Sequence, residues 1–369
     1  MTDVALPDRV NAKLLTPIVR TATSLPEAVI FGWESRALQG GSVGDVHLIE
    51  GTATPSPRDG RVVDWRLVLK VQRQWARPGD PESWRRELLM YESGLLDEVG
   101  HALPAPKLLR ADAHEDEIWL WLEHVGGGAD GGGTDGCVTG ESMTIEQYRQ
   151  AAADLGRMQG AYLEGHDIPA YPWLSSRRWV STTVGMWGMQ AVHGLGRNGH
   201  GERPHGGLPH DLNRATMHLW GQRDRALDAL ETFPLTLCHR DYNAANLFVG
   251  PDAVGRPTTI ALDWDCAGIG TIAEDIGDMV GEAVVYFGYD PAELGELARV
   301  ALGAYVDGLR VAGWTGSMGI AGRAFATVAP LQWCFRVACL AQRADDADLL
   351  DRYAVIQRFM LGLAKKALG

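Results

Sequence analysis

Three polar residues in one short stretch of the chain have the types and spacing that phosphoryl transfer requires. Asp241 lies two residues after His239, Asn246 follows five residues later, and Asp263 ends the next apolar run. The reaction needs one carboxylate beside an attacking hydroxyl, and an amide oxygen with a second carboxylate to hold Mg²⁺ against nucleotide phosphates. Mg²⁺ prefers such hard oxygen ligands. The pattern therefore predicts Asp241 as the catalytic residue and Asn246 and Asp263 as metal ligands.

Short apolar segments flank these residues and predict how they are positioned. Residues 235–238 lead into the motif, residues 247–249 lead out of it, and residues 259–262 precede Asp263. Such segments, separated by turn residues, predict small strands, whose ends would bring the three polar side chains into one cleft. Aspartate and asparagine also cap turns. Their joint occurrence at this spacing favours a catalytic loop.

The composition is that of an ordinary globular protein. A length of 369 residues predicts about two domains, and 46% hydrophobic with 22% charged residues is typical of soluble chains. No apolar run approaches the ~18 residues of a membrane span, and the first residues lack a signal-peptide pattern. A net charge of −13 argues against nucleic-acid binding. Five scattered cysteines without a CxxC pair predict reduced thiols in the cytoplasm.

Lys70 is the candidate anchor for nucleotide phosphates. It is one of only five lysines and lies within an apolar, strand-like segment, residues 65–71. A strand lysine can be an exposed edge residue, or it can contact phosphates while a helix glutamate holds its ammonium group. Apolar residues recur at helical spacing downstream, at Trp84, Leu88, Tyr91 and Leu95. Glu87 in this helix is the expected partner of Lys70, and Glu92 is the alternative.

Two further segments could contact a nucleotide. Gly41, Ser42 and Gly44 form a glycine turn between apolar segments, and glycines let backbone amides approach phosphates closely. A tight hairpin would use the same residues, so both interpretations stay open. Farther along, an apolar strand ends near Glu123 and Val125, and the glycine-rich residues that follow predict a flexible connector.

In this order, the motifs resemble those of the aminoglycoside phosphotransferase and choline kinase-like family, whose fold is protein kinase-like. The resemblance implies an α+β protein with a small antiparallel-sheet N-lobe, residues 1–123, and a larger, mainly helical C-lobe, residues 124–369. It implies that the glycine turn covers the phosphates and that backbone groups around Glu123 and Val125 bind the base. Asp275 is expected to brace the catalytic loop. His239 and Asp265 are expected to support the catalytic and metal loops.

The resemblance also implies a small-molecule kinase that uses Mg²⁺ and ATP, with GTP as the alternative nucleotide. The acceptor would be a hydroxyl of an aminoglycoside-like compound, another amino-bearing natural product or an aminoalcohol, and antibiotic resistance would be one role. No Phe-Gly follows Asp263, and eleven residues separate it from Asp275, which argues against a protein kinase. Arg240 and Tyr242 depart from the small or aliphatic residues common in antibiotic phosphotransferases. A neutral-sugar kinase and a catalytically silent nucleotide-binding protein remain open.

The rest of the chain predicts helices and one irregular segment. Residues 144–147 form a capping-box pattern. Residues 173–210, rich in glycine, tryptophan and histidine, predict an irregular substrate lid whose histidines are loop residues, not metal ligands. The chain has 47 acidic against 34 basic residues, which predicts a cationic acceptor. A local acidic cluster, which a solvated turn would also explain, consists of Asp345, Asp346 and Asp348. The oligomeric state is not predicted.

Overall fold

The structure is a computed structural model that describes residues 9–38, 44–58, 60–75, 80–125, 143–197, 207–252 and 254–369. The chain divides into two units, Met1–Thr139 with Ile260–Asp265 and Gly140–Thr259 with Cys266–Gly369. A sheet dominates the first unit and helices dominate the second, which confirms the predicted α+β class. The predicted lobe boundary between residues 123 and 124 stays a prediction.

The described part of the first unit contains five strands and three helices. The strands are β1 (Val29–Leu38), β2 (Gly44–Thr54), β3 (Val63–Arg73), β4 (Leu108–Ala113) and β5 (Glu117–Glu123). The helices are α1 (Ala12–Thr23), α2 (Arg86–Glu92) and α3 (Leu95–Val99). The strands form one antiparallel sheet in the order β1-β2-β3-β5-β4. The helix predicted to carry Glu87 is short, because Gly94 adopts a φ of 76° between α2 and α3.

Alternation along β3 decides where the Lys70 side chain lies. Trp65, Leu67, Leu69 and Val71 are buried together with Leu15, Ile18 and Val19 of α1. Because successive strand residues point to opposite faces, the even-numbered residues of β3 lie on the other face. There Val68 packs with Leu88 of α2 and with Leu120 and Leu122 of β5. Lys70 therefore lies on the sheet face that α2 covers.

The second unit consists mainly of helices, with short strands at the predicted catalytic loop. The helices are α4 (Ile145–Leu163), α5 (Trp179–Arg197), α6 (His210–Gly221), α7 (Arg223–Leu230), α8 (Glu274–Val285), α9 (Leu294–Val311), α10 (Met318–Ala341) and α11 (Ala347–Leu368). The strands are β6 (Leu235–Cys238), β7 (Leu247–Pro251), β8 (Pro257–Ala261) and β9 (Gly268–Thr271), and they pair as β6-β9 and β7-β8. The small strands predicted around the motif are thus present.

Helix α4 begins where the sequence predicts. The Thr144 side chain accepts a hydrogen bond from the backbone N–H of Gln147, and the Gln147 side chain accepts one from the backbone N–H of Thr144. This reciprocal pair satisfies two backbone donors that a helix start leaves open, which confirms the predicted capping box.

The prediction that residues 173–210 are irregular is wrong for most of the segment. Residues 179–197 form the helix α5, and His193 and His210 lie in helices rather than loops. The glycines that suggested a loop instead allow close packing: a Cβ at Gly188 would lie 2.1 Å from the Trp220 ring, and one at Gly194 would lie 1.7 Å from the Gln342 side chain. Residues 198–206, with His200 and His205, lie outside the described residues.

Helix α10 forms the centre of the second unit. It is the one described helix that is long and apolar enough to cross a membrane, and 89% of its apolar 18-residue stretch is buried inside the protein. A helix that is hydrophobic all round is typical of a protein core. The burial of α10 therefore accounts for its composition.

Glycines also permit a close approach between α4 and α9. A Cβ at Gly308 of α9 would lie 2.1 Å from the Ala153 carbonyl oxygen of α4, and one at Gly156 of α4 would lie 2.1 Å from the Tyr305 carbonyl oxygen. Real Cβ atoms do not approach backbone oxygens this closely, so the two helices can pack at this distance only because these positions lack side chains.

We predict that Gly308→Ala lowers the free energy of unfolding by about 1–3 kcal/mol, because the added methyl group forces α4 and α9 apart. Gly303→Ala on the same helix is the control. No described atom lies within 4 Å of a Cβ built there, so alanine should raise the free energy of unfolding by up to ~1 kcal/mol through its helix propensity. Urea denaturation of both variants measures the difference. Equal shifts of the same sign would contradict the close packing.

Candidate active site

In the first unit, an ammonium group lies between two carboxylates. The Nζ atom of Lys70 is 2.6 Å from Oε2 of Glu87 and 2.7 Å from Oδ1 of Asp263. Glu87 is in the first turn of α2, and Asp263 follows β8 by two residues. Glu92, the alternative partner, is exposed at the end of α2. The strand lysine is therefore an interior ion-pair residue, not a solvated edge residue.

Burial and charge compete in this cluster. Burial alone would lower the pKa of Lys70, but the carboxylates of Asp263, Glu87 and Asp265 outweigh it, and the net pKa lies well above the usual value. Burial raises the pKa of Glu87 to about 7 although Lys70 acts in the opposite direction. Lys70 thus keeps its positive charge at neutral pH. That charge is what an anionic ligand such as a phosphate would meet.

Gln72 and Arg86 support this cluster, and neither was predicted from the sequence. The buried Gln72 side chain donates to Oε2 of Glu87 at 2.9 Å, the same oxygen that accepts from Lys70. Arg86, which is fully buried, donates to the backbone oxygen of Asp265 and to the carboxylate of Asp80. Asp265 therefore contributes its backbone to the anchoring of this turn, and its charge raises the pKa of Lys70.

In the second unit, two amide side chains hold the carboxylate of Asp241. Nδ2 of Asn243 donates to Oδ1 at 2.8 Å, and Nδ2 of Asn246 donates to Oδ2 at 2.6 Å. Asn243 also caps the 3₁₀ turn Ala244–Asn246 through the backbone N–H of Ala245. The two donors hold the carboxylate in one orientation. Asn243 belongs to the motif, but its clamping role was not predicted.

Asp275 holds the backbone immediately before Asp241. Its carboxylate accepts from the backbone N–H of His239 at 3.0 Å and from that of Arg240 at 2.7 Å. Arg240 is left-handed, with a φ of 67°, a conformation that costs energy for a residue with a side chain. Burial raises the pKa of Asp275 to about 7, whereas the N–H donors act to lower it. The contact joins Asp275 to the loop, and its bracing role stays a prediction.

A second layer of buried polar groups holds Asp275 in turn. Nε2 of Gln159 donates to Oδ2 of Asp275 at 2.8 Å and to the carbonyl oxygen of Leu237 at 3.1 Å. The Tyr305 hydroxyl donates to Oε1 of Gln159 at 2.6 Å and accepts from the backbone N–H of Ala273 at 3.2 Å. The network joins α4, α8 and α9 to the loop. Because these residues are distant in sequence, local patterns gave no signal for them.

The remaining predicted site residues are placed as follows. Gly41 and Ser42 lie outside the described residues, and Gly44 begins β2, where a Cβ would lie 2.3 Å from the Val71 carbonyl oxygen. The Glu123 carboxylate accepts from the backbone N–H of Lys107 at 2.8 Å. Val125 is half-buried. Their contacts with a nucleotide stay predictions.

The two predicted metal ligands have suitable donor atoms. The Nδ2 group of Asn246 is directed to Asp241, so its Oδ1 is the end that can ligate a cation. Asp263 provides a carboxylate next to Lys70 and, like Arg240, has a left-handed backbone, with a φ of 59°. Non-glycine residues in this conformation are frequent at functional sites. No group of three or more His, Cys, Asp or Glu suited to a metal occurs within the described ranges, and the ligand roles of Asn246 and Asp263 stay predictions.

Comparisons with known proteins give one family and several solved structures. Residues 56–314 match the model of the phosphotransferase enzyme family. No curated protein sequence matches the chain. The chain resembles an amicoumacin kinase, hAmiN (12% identity, covering 96% of this chain and 95% of that one, TM-score 0.49). It also resembles wild-type aminoglycoside 2'-phosphotransferase-IIIa (13%, 96% and 99%, 0.47) and an ethanolamine kinase from Plasmodium vivax (10%, 89% and 81%, 0.45).

We predict that Tyr305→Phe lowers the free energy of unfolding by about 1–3 kcal/mol, because it leaves the Gln159 carbonyl and the Ala273 N–H buried without a partner. Tyr353→Phe is the matched control, since Tyr353 is also buried and its hydroxyl makes no hydrogen bond to any described residue. Urea unfolding monitored by circular dichroism compares the two. A loss at Tyr353 as large as that at Tyr305 would show that the hydrogen-bonded network does not contribute.

Proposed function

Because this chain belongs to the phosphotransferase enzyme family, we propose that it is a small-molecule kinase. In this proposal it transfers the γ-phosphate of ATP, or of GTP, to a hydroxyl group of an amino-bearing natural product, an aminoglycoside-like compound or an aminoalcohol. Family membership supports an enzyme that transfers phosphate. The choice of nucleotide and acceptor is the part that needs experiment.

The contact between Lys70 and Glu87 is the observation that carries the proposal. A lysine on the third strand of the sheet, paired with a helix glutamate, is the arrangement that kinases need for contact with nucleotide phosphates. The 2.6 Å contact and the raised pKa of Lys70 keep this cation in one place. We propose that the amides of the glycine turn, with Gly41, Ser42 and Gly44, cover the same phosphates.

We propose that Asp241 orients the acceptor hydroxyl and accepts its proton. The amides of Asn243 and Asn246 fix its carboxylate, so the base is oriented before substrate binds. Since phosphoryl transfer has a loose transition state in most analyses, positioning and electrostatics contribute more than base strength. A clamped carboxylate suits that requirement.

Asn246 and Asp263 are the proposed metal ligands. Mg²⁺ held by them would neutralise the charge that develops on the transferred phosphate. Asp263 accepts from Lys70 at 2.7 Å, so nucleotide binding would let this lysine exchange part of its contact with the carboxylate for phosphate oxygens. At the other end of the nucleotide, backbone groups around Glu123 and Val125 are proposed to bind the base.

A cationic acceptor is supported by the charges of α8. Asp278 and Glu282 lie on this helix. Nη1 of Arg336, which belongs to α10, is 3.1 Å from Oε1 of Glu282. Burial, then repulsion from Asp278, raises the pKa of Glu282 to about 8, and Asp241 acts in the same direction. Arg336 acts in the opposite direction, and a further cation beside Asp278 and Glu282 would relieve their mutual repulsion and favour their ionised forms. The acidic cluster identified in the sequence has another role, because Asp346 caps α11 and its neighbours are exposed.

We also propose that the enzyme works in the cytoplasm. Four cysteines among the described residues, Cys238, Cys266, Cys334 and Cys339, are buried as free thiols. Free thiols are typical of reducing compartments, where nucleotide is available.

The function is tested by incubating the purified protein with Mg²⁺, ATP or GTP, and single acceptors, followed by mass spectrometry. Kanamycin, ethanolamine and choline represent amino-bearing acceptors, and glucose and ribose represent neutral sugars. Phosphorylated amino-bearing products support the proposal. Products from sugars only would replace it by a sugar kinase, and nucleotide binding without any product would favour a silent nucleotide-binding protein.

We predict that Asp241→Asn reduces kcat by ~10²–10⁴-fold, the typical contribution of a positioned base, and leaves nucleotide affinity nearly unchanged. The neutral amide keeps the size of the side chain but cannot accept the proton. Steady-state kinetics and nucleotide titration measure the two effects. Wild-type turnover by the folded variant would remove Asp241 from its assigned role.

We predict that Asp263→Ala weakens Mg²⁺-dependent nucleotide binding by at least ~10–100-fold, because the loss of a residue that only supports a metal ligand already costs that much. Asp265→Ala should have a milder effect, because Asp265 anchors the turn through its backbone oxygen, which alanine retains. Isothermal titration with ADP at fixed Mg²⁺ compares the variants. If Asp265→Ala is the more damaging change, the two roles must be exchanged.

A further inference from the structure

Arg240, the residue immediately before Asp241, is buried and bound on all sides. Its side chain is inaccessible to solvent and donates four hydrogen bonds. Nε donates to Glu274 at 3.0 Å, Nη1 donates to Ser175 Oγ at 2.6 Å and to the Ser176 carbonyl at 2.9 Å, and Nη2 donates to the Ile269 carbonyl at 2.6 Å. The guanidinium group therefore uses nearly all of its five N–H donors.

These acceptors belong to three separate segments of the second unit. Ser175 and Ser176 precede α5, Ile269 lies in β9, and Glu274 begins α8. The segments also fit closely around the arginine, because a Cβ at Gly268 would lie 2.1 Å from Ser175 Oγ and 2.6 Å from Nη1 of Arg240. One side chain thus ties the loop carrying Asp241 to the residues before α5 and to the neighbouring elements β9 and α8.

The backbone of Arg240 explains why such a tether is useful. Its φ of 67° is left-handed, which a side chain disfavours, and the same residue donates its N–H to Asp275 at 2.7 Å. Glycine would adopt this turn without steric cost but would also leave the loop free to relax. An arginine remains in this conformation only if its surroundings over-determine it, and the four side-chain hydrogen bonds do so.

We propose that Arg240 is a positioning residue that locks the loop carrying Asp241 in its working conformation. The partners of the guanidinium group are all oxygens of this chain, so the conformation of the loop is built into the fold and does not depend on an added phosphate group. This differs from kinases whose loops are ordered when arginines pair with a phosphorylated residue. The proposal rests on the proposed phosphotransfer and assigns Arg240 no contact with substrate.

Three variants test the lock. Arg240→Gly relieves the backbone and removes the tether, Arg240→Lys keeps the charge but not the fork of donors, and Glu274→Gln keeps the size of one partner without its charge. Arg299→Lys is the matched control, because Arg299 forms an exposed ion pair with Glu296 on α9. Each variant is assayed below its melting temperature, with rates divided by the folded fraction.

If Arg240 locks the loop, kcat should fall by about 10²-fold in Arg240→Gly, because roughly 1 Å of misplacement at a reacting group has that effect. Arg240→Lys and Glu274→Gln should show smaller falls, and the Kd for ADP and the acceptor KM should stay at wild-type values in all three. A residue needed only for stability would lower the folded fraction and leave kcat per folded molecule unchanged. That result would overturn the proposal.

Hydrogen–deuterium exchange tests the tether without relying on activity. In Arg240→Lys, peptides covering residues 239–247 and 268–271 should exchange faster than in the wild type, while peptides of α9 should not change. Unchanged exchange in the first two regions would overturn the tether. If the wild-type protein phosphorylates no acceptor, the proposed function fails, and the exchange result still decides whether Arg240 holds the loop.

Discussion

The carboxylate of Asp275 accepts hydrogen bonds from two consecutive backbone amides, His239 and Arg240, and the geometry of the candidate catalytic loop depends on this contact. Arg240 is also left-handed, so the chain changes direction directly after these two amides. The carboxylate is buried, so its charge is costly unless every oxygen is satisfied. Gln159 satisfies it from α4, and Tyr305 fixes Gln159 from α9. Through these hydrogen bonds, helices of the second unit hold Arg240, the residue before Asp241, in place.

In the first unit, a buried lysine side chain, Lys70, keeps its positive charge. Two carboxylates at 2.6 and 2.7 Å from Lys70 offset the cost of burial, and Gln72 orients one of them. Breaking such a pair from one side leaves an uncompensated buried charge, which costs about 3–5 kcal/mol. In the proposed function, the same arrangement would present a fixed positive charge to the nucleotide phosphates. Preorganised charge of this kind is effective in catalysis because it needs no rearrangement during the reaction.

Local sequence patterns predicted the parts of this structure that local physics determines. The strand of Lys70, the short strands around the catalytic motif and the capping box of α4 follow from apolar alternation and turn residues, and the structure contains them. Helix α5 was missed because its glycines, such as Gly188, serve close packing against distant helices. Gln159, Tyr305 and the tether of Arg240 act across many residues of sequence, so no local pattern revealed them. The roles assigned to the site residues came from motif order and remain proposals.

The rate of a single turnover in Asp275→Asn tests most directly whether this carboxylate organises the catalytic loop. Asparagine has the same shape, but its NH₂ group replaces one of the two carboxylate oxygens. An N–H donor that now contacts that oxygen would then face another donor. With nucleotide and acceptor saturating, we expect a rate about 10²-fold below that of the wild type, with unchanged nucleotide affinity. Asp228→Asn, at an exposed position of α7, should react at the wild-type rate. A wild-type rate in folded Asp275→Asn would show that this carboxylate does not organise the loop carrying Asp241.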